Sequence, residues 1–562
     1  MYTEKVRVRV SGFTRRLKMQ NENERVVEQG AKGLKKVKMS PWSIAFIIYC
    51  LVAAGAFGVE EMIPVSGPGM TIIILIVMPV IWAVPICLQV SELSTFMPAV
   101  GGPYVWVKEA LGEMWGFCSG WWGALSIYLS SATYVVMVVG YASKFLDLTP
   151  TSAMAIKVGM ILIFTIVNLL GVKEVGAIDT ILSIVILAGF ALITVVGFAN
   201  WEYNPVSPVM PENTTIIDCL GGSICISIWM YCGYACVSNM GGEIENPKAI
   251  PRGFLIALPL ITISYVLPVI AGLASVGNWE RWGLEGENIV GFSDVLTNNL
   301  GTAWGVLFII LAIVGQCAIF NSYMAAGPRS FFALADDHLM PEFMVKLSKK
   351  RGAPYVPILI LAAFTMIMMN FDFTVLLVFV APHAIMAYVL IAISYFILRK
   401  KYPVEQRINT YYVKGGKPVA LLITACPIII GCIALLVNGT EYFLLGFVSI
   451  FSGLIMYLIC KWSFGGLYKN DPEKYPINPK TKLAAGDIKK IAGFIFVFAV
   501  YAFIGSLFLG WYEGATGPEY YKAVYGQGLV SNFALMINIA EYGGLAGMVI
   551  GAVMYVIGRK KD

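Results

Sequence analysis

Residues 41–69 read PWSIAFIIYCLVAAGAFGVEEMIPVSGPG, and they hold the start, the interruption and the exit of one membrane-crossing helix. Ser40 is placed to cap the first turn, and Pro41 takes the first helical position, where a missing N–H costs nothing. An apolar run follows, then Gly55-Ala56-Phe57-Gly58, then Glu60 and Glu61, then Pro64 and Gly67-Pro68-Gly69. A helix in lipid must satisfy its own backbone, so an interruption is tolerated only where it lines a cavity or lies inside protein. This stretch therefore predicts a broken helix around an interior site.

Working outward, the rest of the chain supplies the bundle that such a helix needs. Of 562 residues, 58% are hydrophobic and 13% charged, against about 25% charged in an ordinary soluble domain. That excludes a cytosolic enzyme or a secreted disulfide scaffold. Apolar runs long enough to cross a bilayer predict fourteen spans, at 41–64, 70–97, 113–145, 153–171, 175–199, 215–240, 253–277, 302–335, 355–371, 373–398, 418–437, 442–462, 490–511 and 529–558. No cleavable signal precedes them, because the first apolar run starts only at Pro41. The net charge is +6, and its placement says more than its sum. With the amino terminus inside, the cytoplasmic segments hold 35 of the 40 Lys and Arg residues, eleven of them in the tail 1–40. The positive-inside rule then puts both termini in the cytoplasm. The tail is expected to be mobile or to lie on anionic lipid.

The sixth span carries a second interruption, Tyr231-Cys232-Gly233-Tyr234, inside an uncharged stretch from Gly221 to Gly242. Residues 41–199 and 215–399 each hold five spans, and an odd number reverses the sense in which the second set enters the membrane. Inverted repeats with broken first helices point to the midplane site of a secondary transporter. Freed N–H groups there can hold an anion, and freed carbonyls a cation or an ammonium. Residues 400–462 and 463–562 then carry two spans each, the latter after a cytoplasmic loop.

The span ends carry a family resemblance. Glu92-Leu93, Pro98-Ala99-Val100-Gly101-Gly102-Pro103-Tyr104 and Trp115-Gly116-Phe117 resemble the signature after helix two of amino acid–polyamine–organocation permeases. Gly242-Glu243-Ile244-Glu245-Asn246-Pro247-Lys248, with Ile250-Pro251-Arg252, is similar to that family's motif after helix six. Gly327-Pro328-Arg329-Ser330 through Asp336, with Arg351-Gly352-Ala353-Pro354-Tyr355, resembles its stretch after helix eight. The resemblance covers roughly residues 41–400. It implies an all-α polytopic protein with the LeuT-like five-plus-five inverted-repeat transporter fold and four additional carboxy-terminal helices. It also implies a permease for amino acids or related small amines.

Carried over residue by residue, the resemblance makes Gly55, Ala56, Phe57 and Gly58 the unwound strip of helix one. It makes Trp229, Tyr231, Cys232, Gly233 and Tyr234 the counterpart on helix six, with Tyr128 and Asn321 flanking on helices three and eight. Glu61 aligns with an acidic position of the polyamine branch, and Gly-Ala-Phe-Gly-Val-Glu-Glu looks like that branch too. Yet that branch also places carboxylates where this chain has Ala235 and Asn321, so an amino acid or monoamine is preferred to a polyamine.

Several residues keep two readings. Glu60 and Glu61 either face the site, where they bind an amine or carry a proton, or stand in water at the outer mouth. His383 in span ten is a proton-coupling candidate or a packing residue. Trp229, Tyr231, Tyr234 and Phe57 form an aromatic box for an ammonium or ordinary bundle packing. Glu92, Glu243, Arg252, Arg329 and Asp336 are expected to pair at the inner helix ends and hold one conformation closed, or else to meet water.

Coupling stays open between antiport, proton and sodium. Residues 175–199 hold no Lys or Arg, so the version in which a helix-five lysine replaces sodium finds no support, and Ser322 is the nearest hydroxyl for sodium. Eleven cysteines follow no zinc or disulfide spacing, and no cofactor, metal or nucleic acid is expected. A channel would need a filter motif, and an enzyme would need a nucleophile or an acid–base pair. A transporter-like nutrient sensor remains the rival of a different class. The partners expected are a small-molecule substrate, a proton or sodium ion, and lipid. Two Asn-x-Thr sequons, at Asn213 and Asn438, matter only in a eukaryotic source, and the default location is the inner (cell) membrane of a prokaryote.

Overall fold

The computed structural model describes residues 36–53, 55–283, 289–349, 351–407 and 410–561. Most of the basic tail expected at 1–40 lies outside the described residues. Helices α1 (Pro41–Val52), α2 (Met62–Ser66), α3 (Pro68–Met78), α4 (Val84–Phe96), α5 (Gly102–Leu111) and α6 (Glu113–Ser143) come first. They are followed by α7 (Pro150–Leu170), α8 (Val172–Ala199), α9 (Ile216–Met230), α10 (Ala249–Val276), α11 (Phe292–Leu300) and α12 (Thr302–Asp336). Then come α13 (Tyr355–Met368), α14 (Phe373–Lys401), α15 (Gly416–Val437), α16 (Thr440–Phe464), α17 (Asp487–Tyr512), α18 (Gly517–Tyr525) and α19 (Phe533–Lys561). No β-strand occurs among the described residues.

Eleven helical segments are long and apolar enough to cross a membrane, and three shorter apolar helices, α1, α9 and α13, accompany them. Each of the fourteen expected spans coincides with one of these. The starts follow local chemistry. Ser40 accepts a hydrogen bond from the Ser43 N–H at 3.1 Å, as the Ser-Pro start requires. Thr215 and Asp218 form a reciprocal capping box on α9. Between α3 and α4, Pro79–Ala83 form a π turn, so 68–96 runs on as one long segment. Pro85 has no N–H to return to Ile81, and the wider turn absorbs the misfit.

The two interruptions fall where the glycines sit. Past α1, Gly55 and Gly58 take φ of +116° and +86° before a 3-10 turn at Val59–Glu61 and α2. Past α9, Gly233 takes φ of +100°, and the chain continues as 3-10 turns at Cys236–Asn239 and Gly241–Glu243. The sixth span, expected to be helical to 240, thus keeps an α-helix only to Met230.

Around these breaks pack α6, α8, α10, α12 and α14, with a core rich in Tyr and Trp. Large apolar side chains point outward along the bundle, among them Leu255 at 76% and Val448 at 72% exposure. That surface suits lipid, not water. At the periphery α17 and α19 pair closely: a Cβ on Gly544, Gly547 or Gly551 would meet Ala499, Phe503 or Phe496 at 2.8–2.9 Å. Small residues at such spacing let helix backbones approach where lipid gives no hydrophobic drive.

Candidate functional site

The freed ends of α1 and α9 face each other. The hydroxyl of Tyr265 on α10 donates to the carbonyls of both Val52, at 3.2 Å, and Met230, at 2.8 Å. These are the last carbonyls of the two half-helices, which have no partner in their own helix. On the far side of the second break the Gly233 N–H donates to the Tyr388 hydroxyl on α14 at 2.9 Å. At the first break the Gly58 N–H donates to the Glu60 carboxylate at 3.0 Å.

Between the breaks lies a small cavity of about 10 Å³. Phe57, Tyr134, Trp229, Tyr265 and Gln316 line it, with the backbone around Val52 and Met230. A space of that size admits at most one water, so a solute enters only when the walls move. Gln316 on α12 is fully buried, and among the described residues neither atom of its amide has a hydrogen-bond partner, nor does the Trp229 indole N–H. A buried amide left unmet costs about 1–3 kcal/mol, so a group of this kind calls for a partner or a role. The aromatic walls hold one another in place. Trp229 stacks on Tyr134 at 5.8 Å and meets Phe373 edge-on at 5.5 Å. Phe57 stands edge-on to Tyr141 and Phe190, at 5.4 and 5.0 Å.

Beyond Phe373 lies a larger cavity of about 570 Å³, lined by Glu61, Asp218, Glu441 and Glu513 together with Tyr442 and Tyr520. Glu513 accepts from the Thr440 hydroxyl at 2.6 Å. The Trp229–Phe373 contact is the thin wall between the two spaces.

The opposite end of the bundle is tied by charge. Glu243, just past the second break, pairs with Arg329 on α12, and both are almost fully buried. Arg329 Nη2 reaches the second carboxylate oxygen at 3.1 Å. Glu92 on α4 takes Arg399 at 3.0 Å, Arg407 at 2.8 Å and the Val413 N–H at 2.9 Å. Asp337, one residue beyond the Asp336 named from sequence, binds Lys108 and accepts from the Tyr104 hydroxyl at 2.5 Å. Arg252 is exposed.

Of the residues named from sequence, Phe57 and Trp229 line the central cavity, while Gly55, Ala56 and Gly58 form the break beside it. Glu60 is buried at the break, and Glu61 faces the larger cavity. Tyr231 and Tyr234 are buried behind the second break, where Tyr231 donates to the Leu75 carbonyl at 2.8 Å. Cys232 is buried with them. Tyr128 packs on Phe331 and Phe364, apart from the cavity. Asn321 is turned to Asn168 and Asp179. His383 sets its Nδ1 against the Phe379 carbonyl of its own helix at 2.6 Å. Tyr134, Gln316 and Asp179 went unnamed in the sequence. A lone amide and a lone carboxylate inside apolar runs were the available signals.

A family model described as amino acid permease matches residues 39–460. A probable polyamine transporter of Arabidopsis thaliana is 25% identical over 439 residues, 76% of this chain and 87% of the relative. A second Arabidopsis thaliana polyamine transporter is 25% identical over 75% of this chain and 85% of its own length. A serine/threonine exchanger of Bacillus subtilis is 28% identical over 57% of this chain and 73% of its own.

Proposed function

The chain belongs to the amino acid permease family, a multi-pass membrane transporter family and not an enzyme family, and from that premise we propose that the central cavity is its substrate site. In this reading an amino acid or a related small amine binds between the two helix breaks and crosses by alternating access. The observation that carries it is the buried Gln316 amide, unmet among the described residues, in a cavity lined also by Phe57, Trp229, Val52 and Met230, the last two bearing the freed carbonyls. Carbonyl oxygens and aromatic faces suit an ammonium, and an amide can serve either end of an amino acid. The substrate residues are Gly55, Ala56, Phe57, Gly58, Trp229 and Gly233, joined by Tyr134 and Gln316.

The remaining parts take their roles from position. The Trp229–Phe373 wall is the outer gate, and the Glu243–Arg329 pair, with Glu92 and its two arginines, is the inner one. Residues 41–199 and 215–399 are the two inverted repeats, and α15, α16, α17 and α19 are the four additional spans. The excess of Lys and Arg on one side supports both termini in the cytoplasm and a cell-membrane location.

One observation favours a second substrate class. The four carboxylates of the larger cavity would gather a polycation, which agrees with the polyamine transporters among the relatives. Exchange in proteoliposomes decides between the classes. Purified protein is loaded with unlabelled solute and offered radiolabelled serine, threonine, lysine or putrescine. Saturable exchange of serine or threonine supports the amino acid reading, and putrescine alone supports the polyamine reading. Binding seen by thermal shift without any exchange would make the protein a sensor.

A further inference from the structure

We propose that Asp179 is the proton carrier of this transporter, an inference that rests on the transport reading above and names the group that couples it. Asp179 lies on α8 and is fully buried. A carboxylate inside a membrane bundle is costly, and those that persist usually pair with a cation or do work. No Lys, Arg or His among the described residues forms an ion pair with Asp179.

What it has instead is neutral. Its Oδ1 accepts from Asn321 Nδ2 at 2.8 Å, and its Oδ2 lies 2.5 Å from the Ser322 hydroxyl, both on α12. The Asn321 oxygen is turned away, to Asn168 on α7 at 2.9 Å. From α1 comes Cys50, whose thiol lies 3.5 Å from the Asp179 carbonyl and 3.0 Å from the Ser183 hydroxyl. Ser183 in turn reaches the Phe46 carbonyl of α1 at 3.4 Å. Cys50 is thus the titratable group facing Asp179 from α1. Helices α7 and α12 present amides and a hydroxyl, and among the described residues no charged side chain is ion-paired to Asp179.

The donor set selects a proton over a metal cation. A sodium ion needs several oxygens turned inward, but here the amide nitrogen points at the carboxylate and the amide oxygen is spent on Asn168. A proton needs a single oxygen. Bound to Oδ2, it makes Asp179 a neutral acid that donates or accepts with Ser322 and can stay dry. Released, it leaves a carboxylate that water must reach, and water reaches it only if α1 parts from α8. Asn321 stands five residues beyond Gln316, about 7 Å along α12, so occupancy of the central cavity and the state of Asp179 share one helix. The balance is simple: one proton is taken by the carboxylate on the side of substrate entry and given up as the same carboxylate on the side of release.

The test uses the full-length protein in proteoliposomes holding a trapped pH dye. At equal pH, exchange of labelled serine or putrescine reads transport itself. With the outside acid and no internal solute, the wild type should accumulate that solute several-fold while the lumen acidifies. Asp179→Asn should keep measurable exchange yet lose both accumulation and acidification, and Asp179→Glu should restore part of each. Loss of exchange with every solute, wild type included, refutes the transport reading. Wild-type exchange without proton flow, accumulation driven by sodium instead, or full accumulation by Asp179→Asn overturns the proton assignment alone. Should Asp179→Asn not yield monodisperse protein, Ser322→Ala carries the test, with a lower accumulation ratio expected and an unchanged one against it. Infrared difference spectra on changing pH add a readout free of transport. A carboxylic acid band present in the wild type and missing in Asp179→Asn is expected, and its persistence overturns the proposal.

Discussion

A Cβ placed on Gly233 would stand 2.0 Å from the carbonyl oxygen of Leu51, so the two broken helices touch where only a hydrogen fits. Gly233 also has φ of +100°, a region that costs a side-chain-bearing residue about 1–2 kcal/mol. Gly233→Ala must therefore push α1 away from the second break. Exchange should fall at least tenfold by order of magnitude, since about 1.4 kcal/mol of misplacement already amounts to that. The melting temperature of the purified protein should drop as well. Full-rate exchange by a well-folded variant would remove this contact from the mechanism.

Gln316→Leu separates stability from function. Removing a buried amide that has no partner relieves about 1–3 kcal/mol of desolvation, so thermal unfolding should rise or hold. If the amide binds solute, the same change removes that bond, with a roughly ten- to hundredfold rise in KM. Unfolding curves and saturation kinetics on one preparation give both numbers. A less stable protein with wild-type KM would return Gln316 to packing.

Breaking the Glu243–Arg329 pair should be costly on one side only. Arg329→Met strands the Glu243 carboxylate in a dry place, at about 3–5 kcal/mol. The double change Arg329→Met with Glu243→Gln should recover much of that loss. Cys236 lines a small cavity of about 40 Å³ beside Tyr388 on the same end of the bundle. In a background with the other cysteines replaced, its labelling by a thiol reagent should quicken when the pair is broken. Equal labelling in the intact and broken proteins would mean that the pair is not a gate.

The carboxylates of the large cavity make a charge prediction. Glu61→Gln and Glu513→Gln should weaken competition by putrescine more than competition by serine. Added salt should shrink the difference, because attraction across an open cavity is screened within about 10 Å at 0.1 M. Equal effects on both solutes at all salt concentrations would leave these acids without a role in selection.

Much of the fold was legible because lipid leaves few choices. Fourteen apolar runs coincide with helices, the first and sixth stopping short at Val52 and Met230, and both interruptions sit at the glycines that marked them. Which way a buried side chain points was not legible. A helix apolar all round carries no stripe to show its inner face. Tyr128 and Tyr134 lie on the same helix only six residues apart, yet Tyr134 lines the cavity and Tyr128 packs against Phe364. Asn321 and Gln316 divide likewise on α12, one structural and one at the cavity. Asp179 has no signal in the sequence beyond a lone carboxylate inside an apolar run. Glu92, Glu243 and Arg329 are paired, as charged residues at helix ends have few other places to go, whereas Arg252 is exposed.

Tyr265 has one hydroxyl proton and two carbonyls to serve, Val52 on one broken helix and Met230 on the other. When those helices part, the proton can follow only one of them, and the abandoned carbonyl must wait for water or solute. That loss, of about 1 kcal/mol, falls on the moving state and not on the resting one, so it enters the rate of opening. A phenylalanine at this position would lower the threshold and leave the empty carrier flickering between its two faces. With solute bound between the breaks as proposed, the stranded oxygen would be capped, so Tyr265 would slow the unloaded cycle more than the loaded one.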